Sequence, residues 1–148
     1  MKVLLSLKEE FDGVAGERSY SIAGASVFAR SEPPKSAGDP SAMRVFQAIS
    51  DAAAVATQHF TVERYGEAAL AQFVAWLEAY AADSLFQRRC LRCGKILAED
   101  SLLGFLPPTV RTFQSGAAYH PVCLAHAAMQ KEVVQSGEAT DWLQLYDI

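Results

Sequence analysis

The residues of this chain best equipped for coordination or redox chemistry are three cysteines and a histidine. Cys90 and Cys93 stand in "CLRCGK", and His120 and Cys123 stand in "YHPVC", with 26 residues between Cys93 and His120. The pattern is C-x2-C followed by H-x2-C. Three thiolates and one imidazole form a soft donor set that suits a closed, tetrahedral zinc ion. In C-x2-C-G a tight turn brings both sulfurs to one side, and Gly94 permits the positive φ such a turn often needs. In H-x2-C, His120 precedes a predicted helix and Cys123 falls in its first turn, where the partial positive charge of the helix end favours a thiolate. Three thiolates, a neutral imidazole and Zn2+ leave a net negative cluster. Arg88, Arg89, Arg92 and Lys95 are near enough in sequence to offset it.

Other readings of these residues remain open on spacing alone. His126 lies one helical turn after Cys123 and is a rival fourth ligand, although the H-x2-C spacing favours His120. A lone C-x-x-C can be a redox pair, but the thioredoxin type follows a strand and precedes a helix. Here a helix precedes it and "GKILAED" follows. Inert buried cysteines are the blandest alternative. His59 lies too far along the first helix to join the set. Four protein ligands leave no open position for water or substrate, and no acid stands in an H-E-x-x-H or H-x-E context. The expected site is therefore structural, and the chain is expected not to be an enzyme. Such a site stabilises a fold on the order of 10 kcal/mol.

The elements that must position these side chains are legible in the flanking sequence. The chain has 148 residues, 51% hydrophobic and 20% charged, which is globular composition. Its net charge of −4 argues against direct nucleic-acid binding. An odd count of three cysteines argues against a secreted disulfide framework and for a reducing, intracellular setting. The most apolar stretch, "EAALAQFVAWLEAY", is too short for a membrane span and carries Glu at one end and near the other. The apolar start "MKVLLSL" is interrupted at once by Lys8, Glu9 and Glu10, unlike a signal peptide.

"KVLLSL" and "SYSIAGASVFAR" read as strands joined through the turn residues of "DGVAG", and "SEPPKSAGDPSA" reads as a loop. Asp39-Pro40 predicts a helix start. Val45, Phe46, Ile49, Ala53, Ala56 and Phe60 form one apolar stripe. A second, from about Glu63, runs through Leu70, Phe73, Val74, Leu77, Tyr80 and Ala81, with Leu85 and Phe86 extending it. These stripes read as core, with Trp76 adjacent to the stripe centre and able instead to face a partner. A third helix is predicted from Pro121 to a stop at Gly137, and "ATDWLQLYDI" is a short helical or docking segment. The fold class is α+β, with three segments. Residues 1–38 hold a β-hairpin and Pro-rich loop, 39–88 a helical hairpin, and 89–148 a treble-clef or LIM-like zinc module with its following helix.

"CLRCGKIL", then "LPPTVRTF", then "AAYHPVC" resembles the carboxy-terminal zinc domain of the Mediator subunit 27 family. "MRVFQAISDAAAVATQHF" and "FVAWLEAYAADSLFQRRC" extend the resemblance upstream, so that it covers roughly residues 43–123. The resemblance implies that Cys90, Cys93, His120 and Cys123 are the ligands of one structural zinc ion. It matches Pro107, Pro108, Thr109, Arg111 and Phe113 to the family's central loop. It further implies a non-enzymatic nuclear scaffold in the Mediator tail, linking activators to RNA polymerase II through contacts with other Mediator subunits. Val110 replaces the family's Trp, and "AEDSLLGF" lengthens the stretch before Pro107. The chain also runs on past H-x2-C to Ile148 and lacks the family's amino-terminal helical region, as a fragment or a shortened homologue would. A LIM-like adaptor in another complex is the alternative, and a C-x-x-C thiol oxidoreductase a more distant one. "PPTVRTF" either packs on the zinc site or forms a partner strip, with Phe113 assigned to packing and Arg111 to contact.

Overall fold

A computed structural model describes residues 1–11, 18–33, 35–36, 38–63, 67–80 and 85–125. They fall into two compact units, Met1–Glu78 and Ala79–Ile148. The architecture is α+β, with helices and small antiparallel strand pairs. Among the described residues no helix is long and apolar enough to cross a membrane.

The first unit opens with a hairpin of β1 (Lys2–Phe11) and β2 (Arg18–Phe28). β1 continues through Lys8 and Glu9, past the apolar run that the sequence marks. Lys8 pairs with Ser21 and Glu9 with Tyr20, where exposed side chains let charges face water without loss. Ser6 pairs with Gly24 but Leu7 with Ile22, so Ala23 is an extra residue on β2. That bulge shifts the alternation, and Ile22, Val27 and Phe28 are all buried. Two helices pack on β2: α1 (Arg44–Glu63) and α2 (Glu67–Glu78). Ile49, Ala53, Ala56 and Phe60 of α1 and Phe73, Trp76 and Leu77 of α2 are buried, as the stripes predict. Phe73 meets Phe60 edge-on at 6.2 Å and stacks on Trp76 at 6.0 Å. Trp76 thus belongs to the core, whereas Val74 is exposed. Ser50 of α1 accepts a hydrogen bond from the Val27 N–H at 2.9 Å, satisfying a donor of β2.

α1 begins at Arg44, later than the predicted start at Asp39-Pro40. The Asp39 carboxylate instead accepts from the Ser36 N–H at 2.8 Å. The helix entry is organised by Glu32, which is buried. Its carboxylate accepts from the N–H groups of Ala29 and Ala42, each at 2.8 Å, and from the Ser41 hydroxyl at 2.6 Å. Lys35 lies 3.5 Å away.

The second unit is built of short pieces. β3 (Ala98–Asp100) pairs with β4 (Gly104–Leu106), and β5 (Val110–Arg111) with β6 (Ala118–Tyr119). Asp100 closes the first turn by accepting from Leu102 and Leu103 N–H groups at 2.9 and 3.0 Å. Pro107, Pro108 and Thr109, between the two pairs, are buried, so this stretch packs inward. Arg111 is buried as well, its guanidinium 5.2 Å from the centre of the Tyr80 ring. Its assignment to partner contact is thereby corrected: the flat cation is held on an aromatic face inside the unit. The Tyr80 hydroxyl donates to the Thr109 carbonyl at 2.9 Å. Residues 121–125 are helical. The rest of the predicted third helix, with His126, and the segment 137–148 lie outside the described residues.

Candidate metal centre

The C-x2-C-G segment folds as a tight knuckle. The Gly94 N–H donates to the Cys90 carbonyl and the Cys90 N–H to the Lys95 carbonyl, both at 2.9 Å. Gly94 has φ +70°, the left-handed conformation that the sequence implies at this position. The knuckle is tied to β6 by Leu91 N–H donating to the Ala118 carbonyl at 2.9 Å, two residues before His120. At the other end, Cys123 and Leu124 N–H groups donate to the His120 carbonyl, starting the helical turn. Sequence-distant halves are thus joined by backbone bonds beside the sulfurs.

These elements bring Cys90, Cys93, His120 and Cys123 together, with their ligand atoms all within 4.8 Å of one another. His120 Nδ1 lies 3.4 Å from Cys93 Sγ and 3.8 Å from Cys123 Sγ. For a tetrahedral zinc ion, metal–sulfur bonds of ~2.3 Å and metal–nitrogen bonds of ~2.05 Å imply S···N edges of about 3.6 Å. The arrangement is therefore compatible with a bound metal ion. His120 Nε2 faces the Ile96 carbonyl at 3.4 Å. A proton on Nε2 donated to that oxygen leaves the Nδ1 lone pair aimed at the cluster, the orientation an imidazole ligand requires.

Electrostatics favour a cation at this point. Burial opposes ionisation of Cys90, but N–H groups of Cys93, His120 and Arg92 outweigh it, and its thiol pKa is lowered. Cys123 is pushed up to about 12, by burial first and then by Cys93 and Cys90. Three sulfurs this close cannot all carry charge without a compensating cation. Burial lowers the His120 pKa; the Ile96 carbonyl opposes this and Lys95 adds to it. A neutral imidazole is the ligating form. The arginines act through backbone. Arg89 donates to the Gly94 carbonyl at 3.1 Å, and Arg92 donates to the Cys123 carbonyl, linking the two halves of the centre. That bracing, and the Ile96 carbonyl behind His120, are absent from any reading of spacing alone. Only the density of arginines around Cys90 hinted at the first.

An α+β framework whose second unit gathers three thiols and an imidazole defines a class: small domains with a thiol-rich, metal-compatible centre. The family model for Mediator complex subunit 27 matches residues 36–124, more than half of the chain and all four of these residues. The chain belongs to the Mediator complex subunit 27 family. It is 36% identical over 80 residues to Mediator of RNA polymerase II transcription subunit 27 of Danio rerio, covering 54% of this chain and 24% of that protein. It is 35% identical over 80 residues to subunit 27-B of Xenopus laevis, with the same shares covered. The chain thus spans about a quarter of the length of these curated relatives.

Proposed function

We propose that this chain is a non-enzymatic scaffold piece of the Mediator coactivator, acting in the nucleus. Cys90, Cys93, His120 and Cys123 would hold one structural zinc ion in a treble-clef-like or LIM-like module. The observation that carries this reading is the convergence of the four ligand atoms within 4.8 Å, with Nδ1 of His120 turned toward the sulfurs. The ion would supply charge compensation for the crowded thiolates and fasten the knuckle to the helical turn. The residues do the rest: Ile96 fixes the imidazole, and Arg89 and Arg92 brace the two backbone segments. Residues 39–88 would serve as the helical part of the scaffold and 89–148 as the zinc-fastened part. Partners are other Mediator subunits, placed in the tail and linking activators to RNA polymerase II without sequence-specific nucleic-acid contacts. A C-x-x-C oxidoreductase is disfavoured because both of its cysteines lie in the four-residue cluster, Cys90 being 1% exposed while Cys93 is exposed.

Two measurements test this. Metal analysis of the purified chain should give one zinc per chain, with the thiols slow to alkylate. Affinity purification from nuclear extract should return Mediator subunits stoichiometrically. A folded, zinc-free protein with three open thiols sinks the metal reading. A zinc-loaded protein that returns a cytoskeletal or signalling complex sinks the Mediator reading and favours the LIM-like adaptor.

A further inference from the structure

The β3–β4 hairpin turns one face outward. Glu99 pairs directly with Phe105, so both side chains share a face, and both are exposed. Phe105 is 70% exposed; Leu102 at the turn is 85% exposed, and Leu97 before β3 is exposed too. The opposite face, Ala98 with Leu106 and Asp100 with Gly104, is turned toward the unit. Large apolar side chains clustered on so small a hairpin are unusual without a covering partner. Beside them is an open cleft of about 560 Å³, lined by Glu99, Asp100, Ser101, Pro121, Val122 and Ala125. Its hairpin wall is acidic, and its helical wall is apolar. Among the described residues no cation pairs with Glu99.

We infer that this face is a docking site for a basic, amphipathic segment of a partner protein. Apolar residues of the segment would cover Leu97, Leu102 and Phe105, and its Lys or Arg would meet Glu99 on the same face. Charge decides between occupants. A second copy would bring a net charge of −4 against an acidic wall. The chain's own residues 126–148 contain one Lys against two Glu and two Asp, which is also the wrong sign. A cationic segment answers both the apolar and the acidic parts. The inference rests on the scaffold reading and names the chemistry of one of its partners.

The test uses the zinc-analysed full chain and two synthetic 18-residue amphipathic helices, one of Leu and Lys, the other of Leu and Glu. Fluorescence anisotropy should show the Leu/Lys peptide bound and the Leu/Glu peptide not bound. Phe105→Ser should weaken binding about tenfold or more, as loss of a central aromatic anchor does. Glu99→Lys should weaken it about fivefold, while Asp51→Lys, the same charge change on exposed α1, should not. Zinc content should be unchanged in all three variants. Equal binding of the two peptides, equal effects of Glu99→Lys and Asp51→Lys, or no effect of Phe105→Ser overturns the inference. Hydrogen-exchange protection of residues 97–105 in the peptide-free chain, lost in Trp142→Ala, assigns the face to the chain's own tail and overturns it as well. If the wild type holds zinc and no peptide binds, the docking inference falls alone. If it holds no zinc, the metal reading falls, and the comparison of the two peptides still decides the docking inference.

Discussion

At the scale of single residues, the centre depends on which imidazole completes it. His120 is 1% exposed and has Nδ1 within 3.8 Å of two sulfurs. His120→Ala removes a donor that three thiolates cannot replace in a tetrahedral site. The expected outcome is loss of stoichiometric zinc and of protection in the second unit, with His126→Ala retaining the metal. Metal analysis of both variants checks this, and retention by His120→Ala would transfer the role to His126. A second residue-scale expectation concerns Tyr80, whose ring carries Arg111 and whose hydroxyl serves the Thr109 carbonyl. Tyr80→Phe keeps the ring beneath the cation and leaves a buried carbonyl short of a donor. The cost should be about 1–2 kcal/mol in denaturant unfolding, with zinc stoichiometry intact. A variant as stable as wild type would mean that water replaces the hydroxyl.

At the scale of elements, Glu32 sets the entry into α1. Its pKa is lowered from 4.5 to about 2, chiefly by the Ser41 hydroxyl, then by the Ala42 N–H, with burial opposing. A depressed carboxylate pKa stabilises the fold above its unfolded value, and that contribution is lost as pH falls through the folded one. Stability of the first unit should therefore decline between pH 4.5 and 2. Glu32→Gln should be less stable than wild type at pH 7 and should flatten that decline; parallel profiles for the two proteins would remove Glu32 from the account. Glu32 also accounts for the helix starting at Arg44 and not at Asp39-Pro40. Asp39-Pro40 has the composition of a helix start, but Asp39 serves Ser36, and a carboxylate seven residues earlier takes its place. The cysteine–histidine set is legible because both halves are local spacings, with two residues between the ligands in each case. The stripes of α1 and α2 were legible because their period extends over several turns. The strands β3 to β6 were not, since two or three residues show no period. Neither was the burial of Arg111, for nothing near it in sequence announces the Tyr80 ring.

At the scale of the whole molecule, the two units differ in what holds them. The first has a hairpin of ten- and eleven-residue strands and helices of 20 and 12 residues, with Ile49, Phe60, Phe73 and Trp76 among its buried side chains. The second has strand pairs of three and two residues. Among its described residues the buried apolar side chains include Tyr80, Leu85, Leu106 and Val110. A structural zinc site contributes on the order of 10 kcal/mol, comparable to the entire stability of an ordinary domain. If the proposed site holds zinc, removing the ion should therefore unfold the second unit while the first survives. In hydrogen exchange after treatment with a strong zinc chelator, amides of residues 90–123 should lose protection while those of 46–62 keep it. Restoring zinc should reverse the change, because the lost term is binding energy and not covalent structure. Simultaneous loss in both units would tie the helices to the metal. Undiminished protection of 90–123 would mean that the backbone bonds linking the knuckle to β6 hold the unit without it.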